Sequence, residues 1–471
     1  MIRVRNPRTG EEDFTFEPAS SETVAAEAGR LRAAQPEWEA LGPEGRAAVL
    51  LRWAEIIERQ APAIHDALSI DTGRRKIARI EVDGLPRTLR RWAARGPALF
   101  AELAAGDRSS AMPGVELRFR RSAYPLFGAI APWNFPIVLS TIDAIPALMA
   151  GCAALVKPSE VTPRFVGPLC ETMPPELARV FGFVQGGPET GQALIESVDY
   201  LCFTGSVATG RKVAEAAARA FIPANLELGG KDPMIVLASA DPVQAARTAL
   251  RASVVASGQA CQSIERVYVD RAIAEPFIAE LVHAARTCRI NHPDMDKGEM
   301  GPFIFARQAE VVQAQIDDAV AKGARVLAGG TVEAHGGGLY LLPTVLTEVT
   351  PDMALMREET FGPVIPVTVF DGVEEAIAAA NAGDFGLGAA VLAGRAEEAE
   401  AVGAQLEAGA VSINDGSLTS MVWDAENTSF KRSGLGPSRM GDSGLTRFLR
   451  TQALIRQTGA PLPLSAYAED A

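Results

Sequence analysis

The chain has 471 residues, of which 48% are hydrophobic and 22% are charged, and its formal net charge is −13. This is the balance of a soluble globular protein, and at about 100–200 residues per domain the length predicts two to four domains. An acidic chain repels phosphate backbones, so nucleic acid is excluded as an expected partner, and no stretch approaches the ~20 apolar residues of a membrane span.

The N-terminal segment, 1–14, is polar and charged and lacks the apolar core of a signal peptide. The cysteines are odd in number and widely spaced, and they form no CxxC pair. This pattern indicates free thiols in a reducing compartment. We therefore expect a cytoplasmic protein without a membrane partner.

The first hundred residues predict helices. In the segment 43–60, Ala47, Leu50, Leu51, Ala54 and Ile57 recur at helical spacing. The preferred interpretation of this apolar stripe is a face that packs against the rest of the fold.

From Phe127 onward, short apolar runs alternate with alanine-rich helical stretches. The runs that predict buried strands lie at 128–132, 153–159, 180–187, 200–206 and 233–238, with a helix over 209–220. This alternation predicts βαβ units and a parallel sheet. A second α/β stretch follows, with helices around 241–256 and 271–288 and strands at 266–270, 364–370 and 409–414.

Two further segments predict strands outside these units. Residues 115–122 alternate between apolar and charged, as an exposed antiparallel strand does, and 453–458 is a second candidate. An outlying pair of strands is typical of an oligomer contact. A surface hairpin explains the same pattern equally well.

The sequence PWNFP, at 132–136, follows a predicted strand. An amide donor such as Asn134 at a strand end could hydrogen-bond an oxyanion. An asparagine that satisfies turn backbone is a frequent alternative.

The sequence VKPSE ends the next strand and places Lys157 and Glu160 where α/β sheets bind ligands. Glu160 could accept hydrogen bonds from ribose hydroxyls and would repel a 2′-phosphate. Capping by Ser159 or Glu160 is the plain alternative.

The sequence FTGSVATG, at 203–210, runs from a strand into a helix. Gly205 and Gly210 would permit close backbone approach, and the helix N-terminus supplies free N–H groups for a pyrophosphate. Arg211 and Lys212 stand where a P-loop requires Lys and Ser/Thr, which disfavours a nucleoside triphosphatase. A bare tight turn fits this segment as well.

Two residues could carry acid–base or covalent chemistry. Glu227 lies between two leucines in LELGGKDP, where burial would raise its pKa and suit a general base. Cys261 lies among small neighbours in GQACQ and could act as a thiolate nucleophile. Taken singly, a salt-bridged or exposed glutamate and an inert buried cysteine are the commoner cases.

No metal site is predicted. Cys288 and His292 have no second ligand pair. Asp294, Asp296 and Glu299 lack the spacing of a calcium loop.

Together and in this order, the motifs resemble the aldehyde dehydrogenase superfamily. The resemblance rests on PWNFP, VKPSE, the glycines of FTGSVATG, LELGGK, GQACQSIERVYV and EETFGPV (358–364), and it spans nearly the whole chain. It implies an NAD-dependent enzyme, with NADP also possible, that oxidises an aldehyde to a carboxylic acid.

The resemblance also implies a role for each matching residue. Cys261 would attack the aldehyde, Asn134 would hold the oxyanion with the Cys261 N–H, and Glu227 would activate the water that releases the acid. The cofactor would be held by Trp133, Lys157, Glu160, Gly205, Ser206, Glu359 and Phe361.

The resemblance further implies an architecture. We expect a Rossmann-like dinucleotide-binding domain from 1–105 and 124–228 and a second α/β catalytic domain over 229–425. A small β oligomerisation arm would comprise 106–123 and 445–471. A homodimer or homotetramer is the expected assembly.

The chain departs from the family pattern at two places. Asp143 stands where many relatives carry a lysine, which puts a proton relay from Glu227 through that lysine in doubt. The usual PFGG is replaced within 425–434, and the loop 416–430 is expected to line the substrate entrance.

Two alternatives to a water-dependent dehydrogenase remain at this stage. A CoA-acylating semialdehyde dehydrogenase would not need the base Glu227. A non-catalytic protein on the same scaffold would not need Cys261, Asn134 and Glu227 together.

Overall fold

The structure is a computed structural model that describes residues 1–104 and 108–469. The predicted boundary at 105/106 and the last two residues of the predicted oligomerisation arm lie outside the described residues. None of the helices in the described ranges has the length and apolarity that a membrane crossing requires.

Seventeen helices lie within the described ranges. In chain order they are α1 (Ser21–Ala40), α2 (Gly42–Thr72), α3 (Arg75–Ala104), α4 (Pro136–Thr141), α5 (Ala144–Ala150), α6 (Val166–Cys170), α7 (Pro175–Ala178), α8 (Pro188–Ser197), α9 (Val207–Ala220), α10 (Pro242–Val254), α11 (Arg271–Thr287), α12 (Ala306–Ala321), α13 (Ala354–Arg357), α14 (Val373–Asn381), α15 (Ala396–Gly403), α16 (Leu418–Met421) and α17 (Ser443–Thr446).

The same part of the chain forms twenty-two strands. They are β1 (Ile2–Arg5), β2 (Glu12–Phe16), β3 (Arg108–Ser109), β4 (Val115–Ala123), β5 (Leu126–Ile130), β6 (Ala153–Lys157), β7 (Phe181–Phe183), β8 (Tyr200–Thr204), β9 (Ala224–Glu227), β10 (Asp232–Val236), β11 (Ile264–Asp270), β12 (Arg325–Ala328), β13 (Glu333–His335), β14 (Gly338–Tyr340), β15 (Thr344–Thr347), β16 (Val364–Phe370), β17 (Phe385–Gly386), β18 (Gly388–Leu392), β19 (Ala410–Ile413), β20 (Phe430–Lys431), β21 (Gly434–Leu435) and β22 (Leu449–Gln457).

The first large sheet has the strand order β21-β9-β8-β5-β6-β7. Strands β5 to β9 are parallel to their neighbours, and β21 adds to β9 in the antiparallel direction. Read from β7, the five parallel strands follow the order 3-2-1-4-5 of half a doubly wound dinucleotide fold. This arrangement confirms the predicted α/β class.

The second large sheet has the order β12-β15-β16-β11-β10-β18-β19. It is parallel except for β12, which pairs with β15 in the antiparallel direction. Side chains of β10 alternate between two hydrophobic clusters, because Ile235 packs on one face of the sheet and Met234 and Val236 pack on the other. Both faces are therefore covered, as a parallel sheet requires.

A three-stranded antiparallel sheet, β22-β4-β3, lies apart from these two. Strands β4 and β22 pair along their whole length, from Val115 with Gln457 to Ala123 with Leu449. Since the two strands are distant in sequence, their pairing is not the surface hairpin considered above.

The helical prediction for the first hundred residues omits one feature. Strands β1 and β2 form an antiparallel pair before α1. They are short and rich in charged residues, so they lack the apolar run that marks a buried strand.

Candidate active site

Five of the seven predicted cofactor residues, namely Trp133, Lys157, Glu160, Gly205 and Ser206, lie at or just after the carboxyl ends of strands of the first sheet. Strands β6 and β7 lie on one side of β5, and β8 and β9 lie on the other. Ligands of doubly wound sheets bind where the strand order reverses in this way. Trp133 follows β5 and Ser206 follows β8, so both flank this crevice.

Ser206 begins the helix α9. It is the N-cap residue, and its Oγ accepts a hydrogen bond of 3.3 Å from the backbone N–H of Thr209. The preceding Gly205 has no room for a side chain, because a Cβ there would lie 2.5 Å from the ring of Phe203. A fourteen-residue helix beginning here presents N–H groups and positive dipole to an anionic group, which fits a pyrophosphate.

Lys157 and Glu160 lie at the carboxyl end of β6. Lys157 is buried, and its Nζ donates to the Glu160 carboxylate at 3.1 Å and to the Pro158 carbonyl oxygen at 3.2 Å. Glu160 is partly exposed. One lysine therefore orients an acceptor carboxylate toward the open end of the sheet.

Asn134 is held in the turn between β5 and α4. It is buried, and its Nδ2 donates a hydrogen bond of 3.0 Å to the carbonyl oxygen of Gln259. Arg74, between α2 and α3, donates to the carbonyl oxygens of Asn134 (2.7 Å) and Ala256 (2.8 Å). The amide is thus joined directly to the segment that carries Cys261.

That segment has an uncommon backbone. Ala256 and Ser257 adopt φ values of 56° and 58°, and Gly258 adopts 69°. Non-glycine residues persist in this region only where the surroundings fix them. Here the Ser257 hydroxyl donates to the carbonyl oxygen of Gly301 (3.0 Å) and accepts from its N–H (2.9 Å).

Cys261 is partly exposed at the end of this turn. Burial raises the pKa of its thiol to about 12, and the carboxylates of Glu359, Asp232 and Glu227 act in the same direction. The thiol is therefore protonated at neutral pH, and nucleophilic attack requires a base or a change in the local charge.

Glu227 ends β9 and faces the same region. Burial raises the pKa of its carboxyl group, while the charge of Arg439 is the largest opposing influence. Ser429, within the atypical loop, donates a hydrogen bond of 3.2 Å to the Glu227 carboxylate. A carboxyl group with a raised pKa is suited to proton transfer near neutral pH.

Glu359 and Phe361 approach the site from the second sheet. Glu359 accepts a hydrogen bond of 3.2 Å from the backbone N–H of Gly230, and burial raises its pKa to about 8. The ring of Phe361 packs edge-on against Trp133, with centroids 5.4 Å apart. The two predicted aromatic contacts of the cofactor thus touch each other.

A buried ion pair positions this segment. Lys231 Nζ lies 2.7 Å from the Glu265 carboxylate and 2.8 Å from the Thr360 hydroxyl. Glu265 also accepts from the N–H groups of Thr360 (2.8 Å) and Phe361 (2.7 Å). Neither Lys231 nor Glu265 was predicted as a site residue, although Glu265 interrupts an apolar strand and could have been noticed for that reason.

Asp143, which occupies the position where many relatives carry a lysine, forms ion pairs. It is buried, and its carboxylate accepts from Arg439 (2.6 Å) and from Arg447. Burial opposes ionisation of Asp143, but the two arginines outweigh it and hold its pKa below the ordinary value. Neither arginine was predicted, because both lie about 300 residues from Asp143 in sequence.

A cavity of about 580 Å³ lies between α3, α4 and the loop 416–430. Its walls include Val138 and Thr141 of α4, Arg91 of α3, and Trp423 of the loop. The helix α4, which forms part of its wall, begins two residues after Asn134.

The chain matches a family model described as the aldehyde dehydrogenase family over residues 1–454. It is 38% identical, over 95% of its length and 87% of the other protein, to a Mycolicibacterium smegmatis protein named as a succinate-semialdehyde dehydrogenase with NADP(+). It is also similar to the solved structure of a protein named as an aldehyde dehydrogenase from Anabaena variabilis. That structure shows 48% identity and a TM-score of 0.95, with 98% of this chain and 99% of the other covered.

A second similar structure contains a cofactor. Betaine aldehyde dehydrogenase from Staphylococcus aureus, solved in complex with NAD+, shows 27% identity and a TM-score of 0.89. The match covers 99% of this chain and 93% of that chain. The matches therefore include one protein named for NADP(+) and one structure that holds NAD+.

Proposed function

The chain belongs to the aldehyde dehydrogenase family and oxidises aldehydes with NAD(P), and we propose that it does so through a thioester on Cys261 that water hydrolyses. In this proposal Asn134 stabilises the oxyanion and Glu227 activates the water. The observation that carries it is the convergence of Glu227 and the Asn134–Gln259 contact on the Cys261 segment.

The first step forms a bond between the Cys261 sulfur and the aldehyde carbon. The thiol proton passes to Glu227 or to solvent, and the carbonyl π electrons move onto oxygen. An amide nitrogen carries two N–H groups, and Gln259 is the acceptor of one from Asn134. The other N–H, with the backbone N–H of Cys261, is proposed to hold the oxyanion.

Oxidation then converts the adduct into a thioester. The C–H bond breaks with its electron pair, and the oxyanion re-forms the carbonyl group. When bound, NAD(P) supplies the acceptor for that hydride. Gly205 and Ser206 are proposed to approach its pyrophosphate and Lys157 and Glu160 its adenosine ribose.

Hydrolysis completes the turnover. Glu227 removes a proton from water as the water oxygen bonds to the thioester carbon. The C–S bond then breaks as Glu227 passes this proton to the leaving sulfur, which gives the carboxylic acid and the Cys261 thiol. Transfer to CoA would not require this base. The raised pKa of Glu227 therefore favours water as the acceptor.

The roles of Cys261 and Glu227 can be tested by measuring aldehyde oxidation and thioester hydrolysis separately. Cys261→Ala should abolish NAD(P)H formation, whereas Cys170→Ala, at an exposed cysteine, should leave it unchanged. Glu227→Gln should give one burst of about one equivalent of NAD(P)H and then a steady state at least about 100-fold slower, since general-base catalysis contributes about 10²–10⁴. Turnover that depends on added CoA, or oxidation without Cys261, would contradict the proposal.

The substrate is proposed to carry an anionic group. Within the described ranges, Arg91 contacts the rings of Trp92 and Trp423 but makes no hydrogen bond or ion pair. Arg91 and Arg87 both line the cavity, with Asp424 as the neighbouring carboxylate, and guanidinium matches carboxylate in geometry and charge. The name of the Mycolicibacterium smegmatis relative, a succinate-semialdehyde dehydrogenase, supports the same class.

An aldehyde panel tests this proposal. An ω-carboxylate aldehyde should exceed the neutral aldehyde of equal length in kcat/KM by about tenfold or more, as expected for a charged hydrogen bond. Arg91→Gln should remove that advantage without lowering kcat/KM for the neutral aldehyde. If wild type and Arg91→Gln prefer the ω-carboxylate aldehyde over the neutral aldehyde by the same factor, Arg91 is not the residue that binds the carboxylate.

A further inference from the structure

Near Glu227, the chain buries a cluster of three charged residues. Asp143 lies between Arg439 and Arg447, and all three are buried. Breaking such a cluster by removing one partner is costly, because an unpaired charge remains in a poorly solvated place. The cluster therefore holds its members in fixed positions.

Arg439 is tied to the strand next to Glu227. Its Nη2 donates a hydrogen bond of 2.9 Å to the Thr204 hydroxyl, in addition to its contact with Asp143. Thr204 ends β8 and is the direct register partner of Glu227 in β9. Neighbouring strands lie about 4.8 Å apart, so Arg439 is anchored one strand away from the base.

The segment that leads to Arg439 also runs along β9. Gly434 pairs with Glu227, and Leu228 donates its N–H to the carbonyl oxygen of Ser433 at 2.8 Å. Asn225 Nδ2 then donates to the carbonyl oxygen of Pro437 at 3.2 Å. The backbone on both sides of Glu227 thus fixes the path of the chain toward Arg439.

We propose that Arg439 is a positioning residue for Glu227, and that its guanidinium, fixed by Asp143 and Thr204, favours the ionised form of the Glu227 carboxylate that deprotonates water. The inference rests on the proposed role of Glu227 in hydrolysis. It assigns Arg439 no contact with substrate.

The charges around Glu227 support this role. Burial is the largest influence on its pKa and raises it; Arg439 is the largest influence that lowers it. Asp143 acts to raise the pKa, and Arg447 and the Ser429 hydroxyl act to lower it.

The charge of Glu227 also raises the pKa of two neighbouring thiols, those of Cys202 and Cys261. Burial alone would lower the pKa of Arg439. Asp143 and Glu227 outweigh burial and raise it, so the guanidinium stays charged throughout the working pH range.

The cluster of Asp143, Arg439 and Arg447 also favours release of the proton that Glu227 takes from water. With Glu227 ionised, two carboxylates face two guanidiniums. Once Glu227 is protonated, one carboxylate faces two guanidiniums, and this excess positive charge in a buried site disfavours the protonated state. Arg439 therefore promotes the return of Glu227 to its basic form after each hydrolysis.

Two substitutions at Arg439 test the inference in the full-length enzyme with NAD(P). Arg439→Gln should move the ascending limb of the kcat–pH profile to higher pH by about one unit or more and lower kcat at neutral pH by about tenfold, with the first-turnover burst of NAD(P)H retained. Arg439→Lys keeps the charge, so the ascending limb of its kcat–pH profile should lie within a few tenths of a pH unit of the wild-type position. A burst that is lost, or a limb that does not move in Arg439→Gln, would overturn the inference.

A matched control lies on the same segment. Arg432 is exposed and pairs with Asp384 at the surface, so Arg432→Gln should leave the pH profile unchanged. An equal shift in both variants would show that net charge, not position, is responsible, and would overturn the inference.

If Arg439→Gln does not fold, Thr204→Val carries the test, because it removes only the hydroxyl that anchors Arg439. It should lower kcat several-fold and leave the burst rate intact. An unchanged kcat would then overturn the inference. The proposed function is tested apart from this by Glu227→Gln: if that variant shows the burst while Arg439→Gln matches wild type, only the role of Arg439 fails.

Discussion

The side-chain amide of Asn134 donates a hydrogen bond to the backbone carbonyl oxygen of Gln259, two residues before Cys261. The contact joins a turn of the first sheet to the segment that carries the proposed nucleophile. Gln259 is itself fixed, because its side chain bonds the carbonyl oxygen of Pro302 at 3.1 Å and the N–H of Ile304 at 2.9 Å. Contacts from the turn after β5 and from the segment 302–304 thereby fix the Cys261 segment relative to Asn134, the proposed oxyanion donor.

Removing this amide should slow the first chemical step. Asn134→Ala is expected to reduce kcat/KM by about 10²–10³, the usual effect of losing one oxyanion donor. The control is alkylation of Cys261, followed by peptide mass spectrometry, which should proceed at the wild-type rate. Slowed alkylation would instead mean that Asn134 positions the thiol.

Glu160 is predicted to set cofactor preference. Its carboxylate, paired with Lys157, would accept hydrogen bonds from the ribose of NAD and repel the 2′-phosphate of NADP. We expect Glu160→Gln to lower the ratio of kcat/KM for NAD over NADP by about tenfold, as expected from loss of one charged hydrogen bond. Kinetics with both cofactors measure this, and an unchanged ratio would place the selecting residue elsewhere.

Removing one partner of the ion pair between Lys231 and Glu265 should destabilise the protein more than replacing both partners with apolar residues. Glu265→Leu alone leaves the lysine charge buried and should cost about 3–5 kcal/mol of unfolding free energy. The double variant Lys231→Met with Glu265→Leu should recover a large part of this loss. Chemical denaturation of the single and double variants gives the coupling free energy, and simple additivity would contradict the prediction.

Glu81 should make stability depend on pH. It is buried in α3, accepts hydrogen bonds from the N–H groups of Ile137 (3.2 Å) and Val138 (3.3 Å), and its pKa is raised by burial to about 8. Because the pKa of Glu81 is higher in the folded protein than in the unfolded chain, its contribution to stability is fully present below the unfolded-chain pKa of about 4.3. This contribution is lost as the pH rises to about 8.

Glu81→Gln lacks this titration, so its stability relative to wild type should increase between about pH 5 and pH 8 and then level off. Denaturation midpoints of both proteins across this range provide the measurement. A stability difference that is constant with pH would show that Glu81 remains ionised in the folded protein.

The exposed strand β22 is predicted to lie in an oligomer contact. It is the outer strand of the three-stranded sheet, and Leu454 and Ile455 are exposed on it by 48% and 70%. Replacing both with aspartate should lower the molar mass measured by light scattering from that of a dimer or tetramer to that of a smaller species. Val320→Asp, at an exposed residue of α12, is the control and should leave the molar mass unchanged. An unchanged molar mass in the β22 variant would contradict the prediction.

The large elements of the fold could be predicted from sequence because their signals are local. Apolar runs such as 200–206 lie within a few residues of the observed strands, here β8. The motifs of the site were likewise visible, since Asn134, Glu227 and Cys261 each follow a recognisable strand or turn.

The sequence could not predict contacts between residues that lie far apart in the chain. The partners of Asp143 are Arg439 and Arg447, and no local pattern links them. Arg74 could not be predicted either, because its role depends on two backbone carbonyl oxygens, which any residue type would provide. Such roles follow from the packing of the chain rather than from a spacing of residue types.

The antiparallel addition of β21 to β9 has a consequence for how this protein is made. A nascent chain that ends before Gly434 already contains Asn134, Glu227 and Cys261, but it lacks both the strand that covers the edge beside Glu227 and the arginines that balance Asp143. Until this last part of the chain has left the ribosome, β9 is an open sheet edge, and the site cannot take its final form. We therefore expect chains that end before Gly434 to be inactive.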